Sequence, residues 1–425
     1  MATSFRPQGF IGFVLVALLA SACDDGIHYR AIPGCKECGP GSLAGGLTVK
    51  RSALEFWHRP LPDGGSVAAL DDRLVWIDAS DRVAHERSTG TTIGGLAVSG
   101  AGRVFAVDDV GEQLRSYDAR GRLRWRRALL DRKGAYPTPW GTTVHVSGGT
   151  VYVGLGVQQP AAILGMPLDP GHVVVALDAE SGDYVDAWAF PGAVFYYSRF
   201  GASDSDAADL LVRTSDAAAS GFDTGGTSAF EVVLHFEPGD PWVLEPDVFS
   251  FPGMPGHFRF DRSADGTIAF FGTASSDTVV VGGSTVTLGE RRVVAGLVGA
   301  DGALRYAVTT AGPDSIGHLP EAYAASNLLI DGDRIHLLWG DESARGLAVA
   351  IGGIDAGGIR WRRRISLTGY DRVLSEISLD AMGRFLVDAR LDIVSYDPTP
   401  GPLRLLVDEQ IVSEGEGFAM LAFWP

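Results

Sequence analysis

Three features of this 425-residue sequence predict an all-β protein, a single β-propeller of four-stranded blades. A short strand-turn-strand cassette recurs along the chain. Turn dipeptides punctuate it throughout. Helical periodicity is almost absent, Pro320 to Asn327 being the best short helix candidate. Recurrence of one supersecondary unit marks a repeat architecture before any local detail is settled. About seven blades are expected, with six and eight left open.

The cassette is an apolar strand, Asp or a stand-in, Gly about three residues on, and an aromatic four residues later. It reads Tyr117-Asp118-Ala119-Arg120-Gly121 running to Trp125, Gly299-Ala300-Asp301-Gly302 running to Tyr306, and Ile354-Asp355-Ala356-Gly357 running to Trp361. A stretched copy holds Asp178, Gly182 and Trp188. The Asp suits bonding to amides of its own turn, the Gly supplies positive φ, and the ring packs between blades.

The clearest unit runs from Gly95 to Leu130. It has strands at Leu96–Val98, Val104–Val107, Gln113–Tyr117 and Arg122–Ala128. Third strands are often continuously apolar, as in Val173 to Leu177, Glu231 to Leu234, Val293 to Leu297 and Leu347 to Ile351. Continuous runs replace alternation where a strand is covered on both faces, as neighbouring blades cover it in a propeller. The turn markers Asp78, Asp118, Asp178, Glu237, Gly299, Asp355 and Asp397 are spaced 40 to 62 residues apart. The short gaps fit one bare blade and the long ones imply loop insertions. Ser203 to Thr227 is the largest insertion candidate. At the ends, Leu54 to Arg59 reads as an isolated fourth strand and Gly417 to Trp424 as a lone apolar strand. One blade is therefore expected to be completed from both termini, hiding its edges.

The first 22 residues read as a targeting segment, residues 23–49 as a Gly/Pro-rich tether, and 50–425 as the propeller domain. Phe10 to Leu19 is uncharged, apolar and too short to span a bilayer comfortably. Ala20-Ser21-Ala22-Cys23 resembles the lipobox of bacterial lipoproteins, in which the signal is cut before a Cys that is then lipid-modified. That resemblance implies a chain held by Cys23 in the bacterial cell envelope, on a periplasmic or surface face, several acyl chains making a stable anchor. The other reading is an ordinary secretory signal with an incidental Cys. Cys35 and Cys38 form a lone CxxC in an oxidising compartment. No His follows it for haem attachment, and four zinc ligands are not at hand. A small disulfide loop is one reading; redox and metal roles are the others.

A net charge of −17 argues against a nucleic-acid partner, which demands a basic footprint. It fits a soluble domain beside an anionic surface, and a monomer is expected.

The cassette resembles the PQQ-like β-propeller repeat, Ala-x-Asp-x-x-Gly-x-x-x-Trp. Asp118, Gly121 and Trp125 match its spacing, Gly302 and Tyr306 keep the later part, and Asp355 and Trp361 stand one residue closer. The repeat residues are structural, so no cofactor is implied. The adjacent-cysteine disulfide of quinoprotein dehydrogenases is impossible here, since no Cys follows Cys38. A lipidated N-terminus before such repeats also resembles, in architecture, the propeller lipoprotein of the outer-membrane barrel-assembly machinery, a non-catalytic scaffold.

No GxSxG or HExxH occurs, and the nine His are scattered. No catalytic residue is assigned. Asp204, Asp206 and Asp209 are weak calcium candidates, against a plain solvated acidic loop. Two basic strands, Arg122 to Arg127 and Ile359 to Arg364, either discourage edge association or form a docking strip for an acidic partner. The leading functional expectation is a lipid-anchored, non-catalytic binding or scaffold module for a protein or glycan partner. The alternative is a hydrolase or lyase acting on envelope or extracellular polysaccharide, with its site in the funnel. A calcium or redox sensor is a third class.

Overall fold

The computed structural model describes residues 28–35, 39–50, 56–108, 112–131, 142–157, 160–163, 165–191, 195–201, 208–214, 231–236, 243–244, 258–263, 265–273, 277–281, 283–288, 293–310, 328–340, 348–368, 374–379, 381–391, 404–414 and 417–424. Every regular element among them is a strand.

Strands β1 (His28–Ile32) and β2 (Leu43–Lys50) come first. Blade one is β3 (Phe56–Pro60), β4 (Ser66–Leu70), β5 (Arg73–Ile77) and β6 (Val83–Ser88). Blade two is β7 (Ile93–Val98), β8 (Val104–Asp108), β9 (Gln113–Tyr117) and β10 (Leu123–Ala128), followed by a short β11 (Leu130–Asp131). Blade three is β12 (Thr143–Ser147) and β13 (Thr150–Val157), then the hairpin β14 (Ala161–Ile163) and β15 (Met166–Leu168), then β16 (Gly171–Asp178) and β17 (Tyr184–Pro191). Blade four is β18 (Phe195–Gly201), β19 (Ala208–Thr214), β20 (Glu231–Phe236) and β21 (Val243–Leu244). Blade five is β22 (Phe258–Arg262) and β23 (Ile268–Thr273), the hairpin β24 (Thr278–Val281) and β25 (Ser284–Thr287), then β26 (Val293–Val298) and β27 (Leu304–Thr310). Blade six is β28 (Leu328–Asp331), β29 (Arg334–Gly340), β30 (Ala348–Asp355) and β31 (Gly358–Thr368). Blade seven starts with β32 (Leu374–Leu379) and β33 (Phe385–Leu391). The hairpin β34 (Arg404–Val407) and β35 (Gln410–Glu414) and then β36 (Gly417–Phe423) follow.

The sheets are antiparallel; blades one to six pair their four strands in chain order, β34–β35 extends blade six outside β31, and among the described residues seven sheets have four strands or more. First strands of successive blades touch: β32 with β3, β3 with β7, β7 with β12, β12 with β18, β22 with β28, and β28 with β32. First strands therefore line the axis and fourth strands form the rim. This is a β-propeller.

Apolar side chains alternate between two neighbours, which explains the continuous apolar strands. On β4, Val67 and Ala69 pack toward blade two with Trp76, Leu96 and Tyr117. Ala68 and Leu70 pack toward blade seven with Leu47, Val49 and Met420. The core is thus a set of interblade layers. Burying each large apolar side chain contributes roughly 1.5–3 kcal/mol.

Both termini complete blade seven, but not as the sequence suggests. Its order is β32-β33-β36-β2, with β1 added outside β2. The fourth strand is Leu43–Lys50, so residues 28–32 and 43–50 belong to the sheet and not to a tether. Phe56–Pro60 is the first strand of blade one, not an isolated fourth strand. The marker Asp397 lies outside the described residues. Blade seven's third strand is β36, so its third-to-fourth junction falls between the two chain ends. Ala208–Thr214 is β19, a central strand, so the Ser203–Thr227 insertion shrinks; the rest of that stretch and the helix candidate at 320–327 lie outside the described residues.

Candidate functional site: a ring with two unlike faces

Antiparallel order puts the first-to-second and third-to-fourth connections on one face, here the turn face. Second-to-third and blade-to-blade connections lie on the other, the connection face. The turn face is built from short turns such as 61–65, 78–82, 99–103, 118–122, 179–183, 263–267 and 299–303. Among the described residues, the second-to-third connections of blades three, five and seven carry the hairpins β14–β15, β24–β25 and β34–β35 on the connection face.

Turns on the turn face satisfy themselves. Asp118 Oδ1 accepts from the amides of Arg120 and Arg122 (2.9 Å each), and Gly121 N donates to Asp118 O. Asp78 Oδ1 does the same for Ser80 and Arg82, and Asp178 Oδ1 for Glu180 and Ser181. Asp355 Oδ1 accepts from Gly357. These amides, with Arg122, hold the Asp118 carboxyl below the usual carboxylate range against a burial cost; Asp178 is lowered by the same amide bonds, the Ser181 amide first. Gly121, Gly182 and Gly302 take φ near +70° to +76°.

Among the described residues a bulge follows the third-to-fourth turn, and in blades one, two, five and six the residue after it meets the next blade. Trp125 pairs with Ser116 after the bulge. A Cβ on Gly182 would lie 2.8 Å from the Trp125 ring, and Trp125 Nε1 donates to Ala179 O (3.3 Å). His85 holds this slot in blade one, stacked on Trp76, and a Cβ on Gly121 would lie 2.7 Å from its Nε2. Trp361 holds it in blade six, and a Cβ on Gly41 of blade seven would lie 2.9 Å from its ring. Tyr306 holds it in blade five, its hydroxyl donating to Asp333 O and Ile354 O; burial pushes its phenol well up. In blade three the slot belongs to Asp186. Trp188 lies further along β17, opposite Val174, and packs on Tyr152 and Phe236. The repeat residues Asp118, Gly121, Trp125, Asp178, Gly182, Gly302, Tyr306, Asp355 and Trp361 thus sit at turns and blade interfaces.

At the seam this contact is inverted. Gly45 stands in blade seven's post-bulge slot, and Asp81 (φ +58°) stands in blade one's glycine slot. The Asp81 carboxylate fills the volume and pairs with Arg384 of blade seven. The signal was present: Asp81 follows Asp78 by three residues and precedes His85 by four, the spacing of Asp118, Gly121 and Trp125.

The basic strands are largely committed within the ring. Arg124 and Arg103 pair with Glu180, and Arg127 pairs with Asp183 and donates to Gly182 O. Arg122 pairs with Asp118 and Arg360 with Asp355. Arg363 reaches Gly41 O (2.7 Å) and Asp408 (3.3 Å). Their main partners are the turns of neighbouring blades.

Buried titratable groups lie inside the blades. His172 is 3% exposed, and burial pushes its imidazole down to about 3. Asp108, at the connection-face end of β8, is pushed up by burial while accepting from the amides of Glu112 (2.7 Å) and Gln113 (3.1 Å). Arg115 nearby donates to Thr91 Oγ1 (2.9 Å) and Gln113 Oε1 (3.1 Å). Among the described residues, no group of three His, Cys, Asp or Glu side chains is placed to hold a metal ion. Asp209 lies on β19 opposite Gly201 and His235; Asp204 and Asp206 lie outside the described residues. Cys35 is disulfide-bonded, while Cys23 and Cys38 lie outside the described residues.

No protein-family description matches the chain, and no curated protein matches it. Solved structures do. U3-55K aligns with TM-score 0.46 and 9% identity, covering 93% of this chain and 98% of that one. BamB from Moraxella catarrhalis aligns with TM-score 0.42 and 15% identity, over 88% of this chain and 96% of that one. A streptogramin B lyase aligns with TM-score 0.44 and 12% identity, over 93% and 98%.

Proposed function

We propose that this chain is an extracytoplasmic binding or scaffold module, lipid-anchored through Cys23 in a bacterial cell envelope, that takes a protein or glycan partner on its connection face. The one-sidedness of the ring carries this reading. Short turns close the turn face with their own side chains and amides, whereas three blades carry a whole hairpin between their second and third strands on the other. Connections held on a rigid scaffold suit recognition. PQQ-like repeats supply the scaffold, and their Asp, Gly and aromatic residues hold turns and blade interfaces. A Cys35–Cys38 disulfide leaves Cys23 free for the anchor.

The test is an affinity pull-down of tagged full-length protein from its native envelope after mild crosslinking, with Cys23→Ser as control. A stoichiometric partner lost when the β24–β25 hairpin is replaced by a short Gly/Ser linker, and kept when the turn-face residue Arg120 is changed to Glu, is the expected result. A partner indifferent to the connection face sinks the reading. An empty pull-down with polysaccharide cleavage by the purified protein moves it to the hydrolase or lyase class.

A further inference from the structure

The start of β1 fixes where the chain enters the ring. β2 is the fourth strand of blade seven and runs from the turn face toward the connection face, where the chain passes on to blade one. β1 lies antiparallel outside it, with His28 opposite Lys50 and Ile32 opposite Gly46. Entry is therefore at the connection-face end of the rim. Tyr29 Oη donates to Glu86 Oε2 (2.8 Å), tying this point to the connection-face end of β6 on blade one.

Cys23 precedes His28 by five residues. Five residues reach about 18 Å at full extension, and the five-residue β1 itself spans about 17 Å. A leash that short only just reaches past the far end of its own strand. The turn face cannot lie flat on the membrane unless the leash is fully stretched.

Charge at the entry is mixed, with Asp24 and Asp25 on the leash and arginines on the rim. At −17 the chain as a whole is repelled by an anionic surface. At the entry rim, Arg30 and Arg87 are exposed. Glu86 is taken up by Arg73 and Tyr29, and Asp72 accepts from Ser88 Oγ (3.3 Å). Resting on the anchor reading above, we propose that the rim at the start of β1 and the end of β6 docks on phosphate headgroups of the bilayer that holds Cys23. Arg30 and Arg87 make that contact, and the connection face is turned toward the membrane.

Ser80 and Ser88 lie just beyond and at opposite ends of β6, both exposed, and report the two faces. A fluorophore is attached at either position through an encoded azide in the full lipidated protein. The protein is reconstituted into phosphatidylcholine vesicles, with or without phosphatidylglycerol, carrying a headgroup-linked quencher. The Ser88 probe should be quenched several-fold more than the Ser80 probe. Arg30→Gln with Arg87→Gln should bring that ratio toward one in the anionic vesicles. Equal quenching on membrane-bound wild-type protein overturns the orientation and leaves the anchor standing. A preference that survives the double substitution overturns headgroup docking. The mass of the mature N-terminal peptide reads the anchor separately, and an unmodified Cys23 overturns both.

Discussion

Asp81 and Arg384, 303 residues apart in sequence, form a bidentate ion pair across the seam of the ring, with Nη1–Oδ2 at 3.1 Å and Nη2–Oδ1 at 3.2 Å. The two side chains are 12% and 7% exposed. Between blades one and two, two and three, five and six, and six and seven, a ring meets the next blade. Here a charged pair occupies the space, facing Gly45, whose own Cβ would lie 2.7 Å from Asp81 Oδ2.

Removing one partner strands a buried charge, which costs about 3–5 kcal/mol. Arg384→Ala should therefore lower unfolding stability by that amount in urea titrations. Asp81→Gly should cost less than Asp81→Ala, because glycine relieves the φ of +58°. Asp81→Gly combined with Arg384→Leu should recover most of the loss, since no charge is left unpaired. Single variants within about 1 kcal/mol of wild type would show that water reaches the pair and screens it.

How much of this was legible depends on whether the signal was local. The turn at Asp118 to Gly121 and Trp125 lie within eight residues, and each reads directly from residue chemistry, while the bulge between them shows only in the strand pairing. Val173 to Leu177 reads as a two-face-buried strand for the same reason. β2 did not read as a strand. Gly45-Gly46 and the Pro/Gly turns before it look like linker, and its partner β36 lies over 360 residues away. The Trp-His-Arg run in β3 imitates the Trp-Arg-Arg run of β10, yet no turn glycine precedes it. Trp188 misled because aromatic identity outweighed register, and only strand pairing shows Asp186 in the slot. Asp81 was hidden by an unusual residue in a familiar place. The opposition of the two faces followed from topology once strand order was known.

The Trp125–Gly182 contact predicts coupling between adjacent blades. Gly182→Ala places a methyl 2.8 Å from the indole at φ +72°, so it should cost about 2–3 kcal/mol. In a Trp125→Ala background only the backbone strain remains, about 1 kcal/mol. A double-mutant cycle should thus give a coupling near 1–2 kcal/mol, with the second substitution cheaper than the first. Strict additivity would mean the ring moves aside without loss.

His172 makes stability fall in mild acid. Its folded value of about 3, set by burial, lies below the ordinary value of 6.5. The unfolded chain therefore takes up the proton first, and stability declines as pH drops from about 6.5 toward 3. At pH 4.5 the loss from this one group is roughly 2–3 kcal/mol. His336 and His85 are lowered by burial as well and add to the same slope. Asp108, raised by burial, opposes it. Urea midpoints at pH 7 and 4.5 should differ markedly less for His172→Gln than for wild type. An equal difference in both proteins would assign the acid sensitivity elsewhere.

Cys35 ties the two chain ends together at the seam, so its disulfide should be felt in blade seven and not elsewhere. Its amide donates to Leu43 O (2.9 Å), its carbonyl accepts from Trp424 Nε1 (2.8 Å), and Gly41 N donates to Trp424 O. With Cys38 as partner the closed loop is short, and chain entropy assigns it about 2 kcal/mol. Peptide mapping under non-reducing conditions should find Cys35 joined to Cys38, with Cys23 outside the bridge. Cys35→Ser or gentle reduction should then speed amide exchange in β2 and β36 while β13 and β16 in blade three keep their protection. A Cys35–Cys23 bridge would leave no thiol for an anchor. Uniform loosening of all blades would show that the seam is not a separate weak point and that the ring opens as one unit.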